Sequence, residues 1–387
     1  MIQLFQVLLL WLAGLGAATQ FAKIAVPFPE VLQLYPDQVE TMGWLLSIIS
    51  LIGAVLGAIS GSIVGRVGPI KLLIFGLLLG GALSIFQATG PGFQIMLASR
   101  FVEGLSHLAI VVAAPTLIAQ ITTGKARNMA MVLWSTFFGV AFALNAWLGL
   151  PLVENYGLPV YFALHGILMI AIAALIPILQ LKDIQAAEPA PWLWRELWAV
   201  HLRTYRSPFV SAPAIGWFFY TLTFVSLLAI LPGRLPDDIS ATVAGLMPLA
   251  GIALSLVAVP VLLNLMSGVA VVNLGFALAI LSILGVFAGL PLELTCIALF
   301  AVLGLVQGGS FAVVPILNQT AETQALGYGA MAQMGNAGNL LGTPVLLAVL
   351  WRVDEAGMLI SVIAIYALAI LAHWALARRR AVNRGSA

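Results

Sequence analysis

Charge is what this sequence has least of. Only 8% of its 387 residues are Asp, Glu, Lys or Arg, against about a quarter in soluble globular chains, which excludes an ordinary water-soluble fold. Cysteine is nearly absent too: Cys296 stands alone, so no intrachain disulfide can form. Three of the histidines, His165, His201 and His373, are scattered and suggest no site. The first apolar run lacks a basic leader, so no cleavable signal peptide is expected. Gly14-Leu15-Gly16-Ala17-Ala18 lies inside that apolar run with no strand before it, which excludes a dinucleotide loop. With no nucleophile and base pair and no metal cluster, neither enzymatic activity nor a cofactor is expected. The net charge of +2 gives no reason to expect a nucleic-acid partner.

What is abundant is apolar surface: 62% of residues are hydrophobic and the mean hydropathy is +1.10. At about 20 residues per spanning helix, apolar segments fall at 4–25, 42–64, 70–88, 93–121, 129–150, 160–181, 209–231, 241–263, 269–288, 292–317, 329–351 and 357–377. The expected fold is therefore an all-α membrane protein of twelve transmembrane helices. If the N-terminus is cytoplasmic, one side holds Arg66, Lys71, Lys125, Arg127, Lys182, Arg195, Arg203, Arg206, Arg378, Arg379, Arg380 and Arg384, twelve of the sixteen Lys plus Arg. Only Arg234 and Arg352 fall opposite, whereas Glu30, Asp37, Glu40, Glu154, Asp237, Asp238, Asp354 and Glu355 do. The positive-inside rule then places both termini in the cytoplasm, with the chain a multi-pass protein of the cell's inner membrane and the lipid bilayer its solvent.

The polar interval before residue 209 divides the spans six and six. This gives an N-terminal bundle at 1–181, a cytoplasmic linker at 182–208 and a C-terminal bundle at 209–387. Within the linker, Pro191 to Arg203 mixes tryptophans with bases as an interfacial amphipathic helix does. At an offset of 200, Pro115-Thr116-Leu117 meets Pro315-Ile316-Leu317, Ala130-Met131 meets Ala330-Met331, and Gly104 meets Gly304. Such duplication points to two pseudo-symmetric halves, and repeat-built transporters hold substrate near the bilayer midplane.

Arg100, Glu103 and His107 stand at i, i+3 and i+7 in the run 93–121, which has no other charged residue. They share one helix face. Ionisable groups in a span cost about 2.5 kcal/mol or more on insertion scales and mark a pathway. Lys23, near the outer end of span one, either snorkels to the interface or reaches the depth of Arg100, given about 1.5 Å rise per residue. In the second case the two cations make an electropositive pocket for substrate. Glu103 either pairs with Arg100 structurally or carries a proton, with His107, which ordinarily titrates near neutrality, as a second proton carrier or a packed ring. Glu103 and His107, at i and i+4, also have metal-ligand spacing, but no third ligand lies at that depth, so no metal site is expected. The second half offers amides: Gln333, Asn336 and Asn339 recur every third residue in span eleven, and Gln307 is offset by 200 from His107. With Tyr220 and, in span five, Asn145, they are candidate substrate contacts, or else interhelical glue.

Gly61-Ser62-Ile63-Val64-Gly65-Arg66-Val67-Gly68-Pro69-Ile70-Lys71 resembles the G-x-x-x-D-R-x-G-R-K loop of the major facilitator superfamily, with Gly65 in place of the aspartate. Ser99-Arg100-Phe101-Val102-Glu103-Gly104 resembles that family's fourth-span R-x-x-x-G motif, to which Glu103 and His107 are additions. The resemblance implies rocker-switch alternating access, gating through Gly61, Arg66 and Gly68, and an arginine at Arg100 associated with proton coupling and substrate binding. Gly53, Gly57, Gly61 and Gly65 form a thin stripe in span two, whose partner by this likeness is the Gly335, Gly338 and Gly342 face of span eleven. The expected function is secondary, proton-coupled transport of a small organic anion or zwitterion by a monomer. The rivals are an exporter of an amphiphile such as a drug or metallophore, using walls at Trp134, Trp147 and Trp217, a divalent-metal transporter, and a transport-dead receptor.

Overall fold

A computed structural model describes residues 2–181 and 201–385, which form helices and connecting turns with no strand among them. Nine of the described helices are long and apolar enough to cross a bilayer, or ten if Pro36–Ser47 and Ser50–Leu56, bent by 43°, make one span. Phe137–Leu179 enters that count once, but Gly157, at φ 81° and ψ 165°, breaks it. The 32-residue helix Ala321–Arg352, made less apolar by Gln324, Gln333, Asn336 and Asn339, lies outside the count. With that break and that helix allowed for, the helices are consistent with the twelve expected.

The chain divides into two compact units, Met1–Gly53 with Ile59–Pro191, and Ala54–Ala58 with Trp192–Ala387. The expected linker helix lies outside the described residues up to position 200; its end, 201–206, is helical.

The helices of the first unit are α1 (Ile2–Ala25), α2 (Phe28–Leu34), α3 (Met42–Ser47), α5 (Ser60–Val67), α6 (Pro69–Gln87), α7 (Phe93–Ile121), α8 (Gly124–Ser135), α9 (Phe137–Leu144) and α10 (Leu150–Leu175). Between α3 and α5 lies α4 (Ser50–Leu56), whose end passes into the second unit. Leu10, Ala13, Ala17, Leu73, Leu77, Ala113, Leu117 and Met169 pack into one apolar cluster with Trp134, which stacks on Phe137 at 4.6 Å. Trp134 is thus core rather than a cavity wall. Along α1, α6, α7 and α10 this cluster takes one half of each helix. The polar side chains described below take the other. Gly68 separates α5 from α6 at φ 88°, in the region glycine enters without steric cost, and Pro69 opens α6 at N1, where its missing N–H is no loss. Arg66 is exposed in the last turn of α5; the surroundings of Gly61 and Gly65 lie outside the described residues.

The second unit comprises α11 (Ser211–Ile230), α12 (Asp237–Leu262), α13 (Gly268–Phe287), α14 (Leu292–Leu317), α15 (Ala321–Arg352) and α16 (Glu355–Gly385). Here span two meets span eleven as expected at Gly57, where a Cβ would stand 3.1 Å from Gln333 Cα, but the Gly335, Gly338 and Gly342 face itself meets another partner. A Cβ at Gly338 would stand 2.6 Å from the Phe218 carbonyl and 2.8 Å from the Leu222 nitrogen, and one at Gly342 would strike the Leu222 carbonyl. These glycines thin α15 against α11, within the same unit.

Candidate functional site

Glu103 is the hub of a buried ion cluster in the first unit. Lys23 Nζ on α1 donates to its Oε1 at 2.7 Å, and Arg100 Nη1, one turn earlier on α7, donates to its Oε2 at 2.5 Å. All three side chains are fully buried. Lys23 therefore does not snorkel, and the two cations do not form an open electropositive pair, because the carboxylate lies between them. The cluster sums to two positive charges and one negative.

Hydrogen bonds fix each member. Gln87 Nε2 on α6 donates to Glu103 Oε2 at 2.9 Å and to Ser99 Oγ at 3.0 Å. Arg100 Nε donates to the Leu45 carbonyl of α3 at 3.0 Å. The motif glycine, Gly104, allows that approach, since a Cβ there would collide with the Ile49 carbonyl. Arg100 Nη2 is buried without a partner, as are Gln20 Oε1 and Gln87 Oε1. An unpaired guanidinium nitrogen in a low-dielectric interior is costly, and its N–H groups can donate to a carboxylate or phosphate oxygen.

From Lys23 the network runs to α6 and α10. Its Nζ also donates to Ser84 Oγ at 2.9 Å, and Ser84 Oγ lies 2.9 Å from His165 Nδ1, whose other ring nitrogen donates to the Gly16 carbonyl at 3.0 Å. A carbonyl only accepts, so His165 Nε2 carries a proton, and the Ser84 hydroxyl also meets the Phe162 carbonyl at 2.9 Å as a donor. Isolated in the sequence, His165 joins the ion cluster in the fold through one hydroxyl. His107 takes a separate place: Nδ1 lies 3.1 Å from the Ala17 carbonyl, and the ring packs edge-on to Phe21 at 4.9 Å. Separately from the ion cluster, Gln20 Nε2 on α1 donates to Ser106 Oγ on α7 at 2.7 Å, and Ser106 donates to the Gly76 carbonyl at 2.6 Å.

Asn145 sits in a five-residue π-helical turn, Asn145–Gly149, a distortion often kept at functional sites. It accepts from the Tyr161 hydroxyl and donates to Thr19 Oγ1 at 3.1 Å. It lines a groove of about 300 Å³ with Tyr161, His165, Leu12, Leu144 and Leu148. Among the described residues no group of three His, Cys, Asp or Glu side chains is placed to hold a metal.

In the second unit the amides go separate ways. Gln333 accepts from the Tyr205 hydroxyl at 2.8 Å and faces His201 Nε2 at 2.9 Å, which ties α15 to the end of the linker. Burial pushes the Tyr205 hydroxyl up to about 12, so it remains a donor at physiological pH. Asn336 bonds back to the Ala332 carbonyl at 2.8 Å, whereas Asn339 Oδ1 is buried with no partner. Tyr220, buried, reaches Gln307 Oε1 at 3.5 Å, the outer limit of a hydrogen bond.

Comparison with known proteins agrees with this architecture. A multidrug efflux pump, LfrA, of Mycolicibacterium smegmatis is 25% identical over 159 residues, 41% of this chain and 30% of that protein. The niacin transporter NiaP of Acinetobacter baylyi is 27% identical over 176 residues, 44% of this chain and 40% of that protein. The chain thus spans less than half the length of either relative. A crystal structure of a bacterial homolog to the human lysosomal transporter Spinster, in an inward-facing and unoccupied conformation, superposes with a TM-score of 0.71 at 11% identity, covering 97% of both chains. At that identity the likeness is one of fold. The model of the Major Facilitator Superfamily matches residues 10–343, and the chain belongs to that family.

Proposed function

We propose that the protein is a secondary transporter that carries a small organic anion or zwitterion together with a proton by alternating access across the cell's inner membrane. One observation carries this reading: the buried Lys23, Glu103 and Arg100 cluster holds one excess positive charge and an unpartnered guanidinium nitrogen, Arg100 Nη2. Adding a carboxylate to that cluster cancels its charge, and adding a proton with it restores the charge. Binding the two together leaves the buried net charge unchanged, and changing buried charge is what low dielectric opposes. In this scheme the substrate claims the guanidinium through charge-assisted hydrogen bonds, and the proton occupies Glu103 in place of the lost ion pair. Lys23 holds the other carboxylate oxygen and orients it.

The remaining candidate contacts are Asn145, Tyr220, Gln307, Gln333, Asn336 and Asn339, with His107 a second proton carrier and Gly61, Arg66 and Gly68 in the gate. The niacin transporter among the relatives supports a small organic acid. The multidrug pump supports the rival reading, export of an amphiphile.

Thermal unfolding of the purified protein with acetate, lactate, benzoate and amino acids tests the site, since a ligand that binds only the folded state raises its stability. At least one carboxylate should raise the unfolding temperature of the native protein and not of Arg100→Gln. Equal stabilisation of both would remove Arg100 from the site. In Glu103→Gln, exchange should persist while accumulation driven by a pH gradient is lost; unchanged pH dependence would place coupling elsewhere.

A further inference from the structure

The last helix of the second unit, α16, carries an exposed apolar stripe that ends in cations. Ile360, Ala364, Leu368 and Leu371 recur at four- and three-residue steps, so they share one face, and all four are exposed. A spanning helix that shows only apolar side chains along an outer face meets hydrocarbon there. Trp374, 52% exposed, follows one turn after Leu371, and exposed Arg378 follows one turn later. Four residues of helix rise about 6 Å, and the headgroup layer on each side of a bilayer is about 5–8 Å deep, half the difference between full thickness and hydrocarbon core. The indole thus stands where tryptophans gather at the edge of the hydrocarbon, and the guanidinium stands at the depth of the lipid phosphates.

Specific contacts make this border more than a run of bases. Arg378 lies over the Trp374 ring with its guanidinium carbon 3.5 Å from the centroid. That contact holds the side chain in place and leaves N–H groups at the rim of the guanidinium to donate outward. Beside it, Arg379 Nη2 donates to the Arg206 carbonyl at 3.4 Å, and buried Arg380 donates from Nη1 to the Pro208 carbonyl at 3.0 Å. These bonds bring the end of the linker, with exposed Arg203 and Arg206, against the end of α16. Neither 201–208 nor 356–385 contains an Asp or Glu.

We propose that this corner of the second unit binds the headgroup of an anionic phospholipid, with Arg378 and Arg379 donating to its phosphate oxygens and an acyl chain lying along Leu371 and Leu368. The missing carboxylates set the lipid class. A zwitterionic headgroup brings an ammonium that the arginines repel and that neither segment can pair, whereas an anionic headgroup brings only charge of the sign this border attracts. A lipid bound there joins the linker to α16 beside the two carbonyl bonds.

Brominated lipids test the site, because bromine on an acyl chain quenches the fluorescence of a tryptophan it touches. The full-length chain is reconstituted in phosphatidylcholine bilayers with a minor fraction of either brominated phosphatidylglycerol or brominated phosphatidylcholine. The Trp374 signal is the difference between the native protein and Trp374→Phe, which keeps a ring under Arg378. One arginine near the membrane surface contributes about 5-fold to binding an anionic lipid, so the two predict that phosphatidylglycerol is preferred at Trp374 by about 5- to 25-fold. The double substitution Arg378→Gln with Arg379→Gln, read against its own Trp374→Phe, should bring the ratio to about one. Equal quenching by the two lipids, or a preference that survives the double substitution, would overturn the site. Should the double variant not fold, the native ratio decides alone. Inorganic phosphate, matched in ionic strength with chloride, should leave the preference in place; its loss would mean a site for free phosphate and would overturn the lipid assignment.

Discussion

Replacing Glu103 with glutamine isolates the electrostatics of the buried cluster, since the side chain keeps its shape and loses its charge. In the native protein the carboxylate receives Lys23 at 2.7 Å, Arg100 at 2.5 Å and Gln87 at 2.9 Å, with the three charged side chains fully buried. The amide leaves two cations facing each other with no counter-charge, so the buried net charge rises from one to two. Breaking a buried ion pair by removing one partner costs about 3–5 kcal/mol. For a cooperative unit of roughly 150–250 residues, each kcal/mol lowers the unfolding temperature by about 2–4 °C, which puts the expected fall at about 6–20 °C. The second half of the prediction is a rescue: adding Lys23→Met to Glu103→Gln removes the extra cation, returns the net charge to one, and should recover about half of the loss or more. Thermal unfolding in detergent at neutral pH, followed by tryptophan fluorescence, reads both. A Glu103→Gln protein as stable as native, or a double variant less stable than the single one, would refute the claim that Glu103 holds two cations together.

Three further substitutions probe separate parts of the account. Arg100→Lys keeps the charge but not the planar fork that serves Leu45, Glu103 and a ligand at once, so it should fold and bind carboxylates at least about tenfold more weakly, a loss of roughly 1.4 kcal/mol; native affinity in titration would contradict this. Ser84→Ala strips Lys23 and His165 of their shared partner and should destabilise by about 1–3 kcal/mol, and an unfolding temperature within error of native would count against the network. Gly338→Val drives a side chain into the α11 backbone at Phe218 and Leu222, with an overpacking cost of about 1–3 kcal/mol or more; a neutral result in the same assay would mean the two helices are not so closely packed.

The fold was legible because its signals are local. A run of apolar residues with a basic flank reports a span wherever it stands, and the segments at 129–150 and 160–181 fall on either side of the break at Gly157. Arg100 and Glu103 were visible for the same reason, as charges in a run that has no others. Lys23 was legible only as one of two alternatives, settled when its ammonium proved to lie against Glu103. The neutral members of the cluster were not legible. Ser84 and Gln87 are unremarkable in sequence, and their roles arise from α1, α6, α7 and α10 meeting. His165 bonds to a carbonyl 149 residues away in sequence, at Gly16, a relation that no spacing rule contains. The glycines of span eleven show the limit from another side: small residues announce a thin face but not what lies against it, and α11 supplied the partner.

The central claim is that Arg100 receives the carboxylate of a solute carried with a proton. Its most direct test is uptake into proteoliposomes under an inward proton gradient, using the radiolabelled carboxylate that most raises the unfolding temperature of the native protein. Native protein should accumulate the acid, accumulation should collapse when the gradient is dissipated, and Arg100→Gln of equal abundance and stability should take up at least about tenfold less, equivalent to roughly 1.4 kcal/mol of lost stabilisation. Accumulation by Arg100→Gln at the native rate, or uptake indifferent to the gradient, would contradict the account.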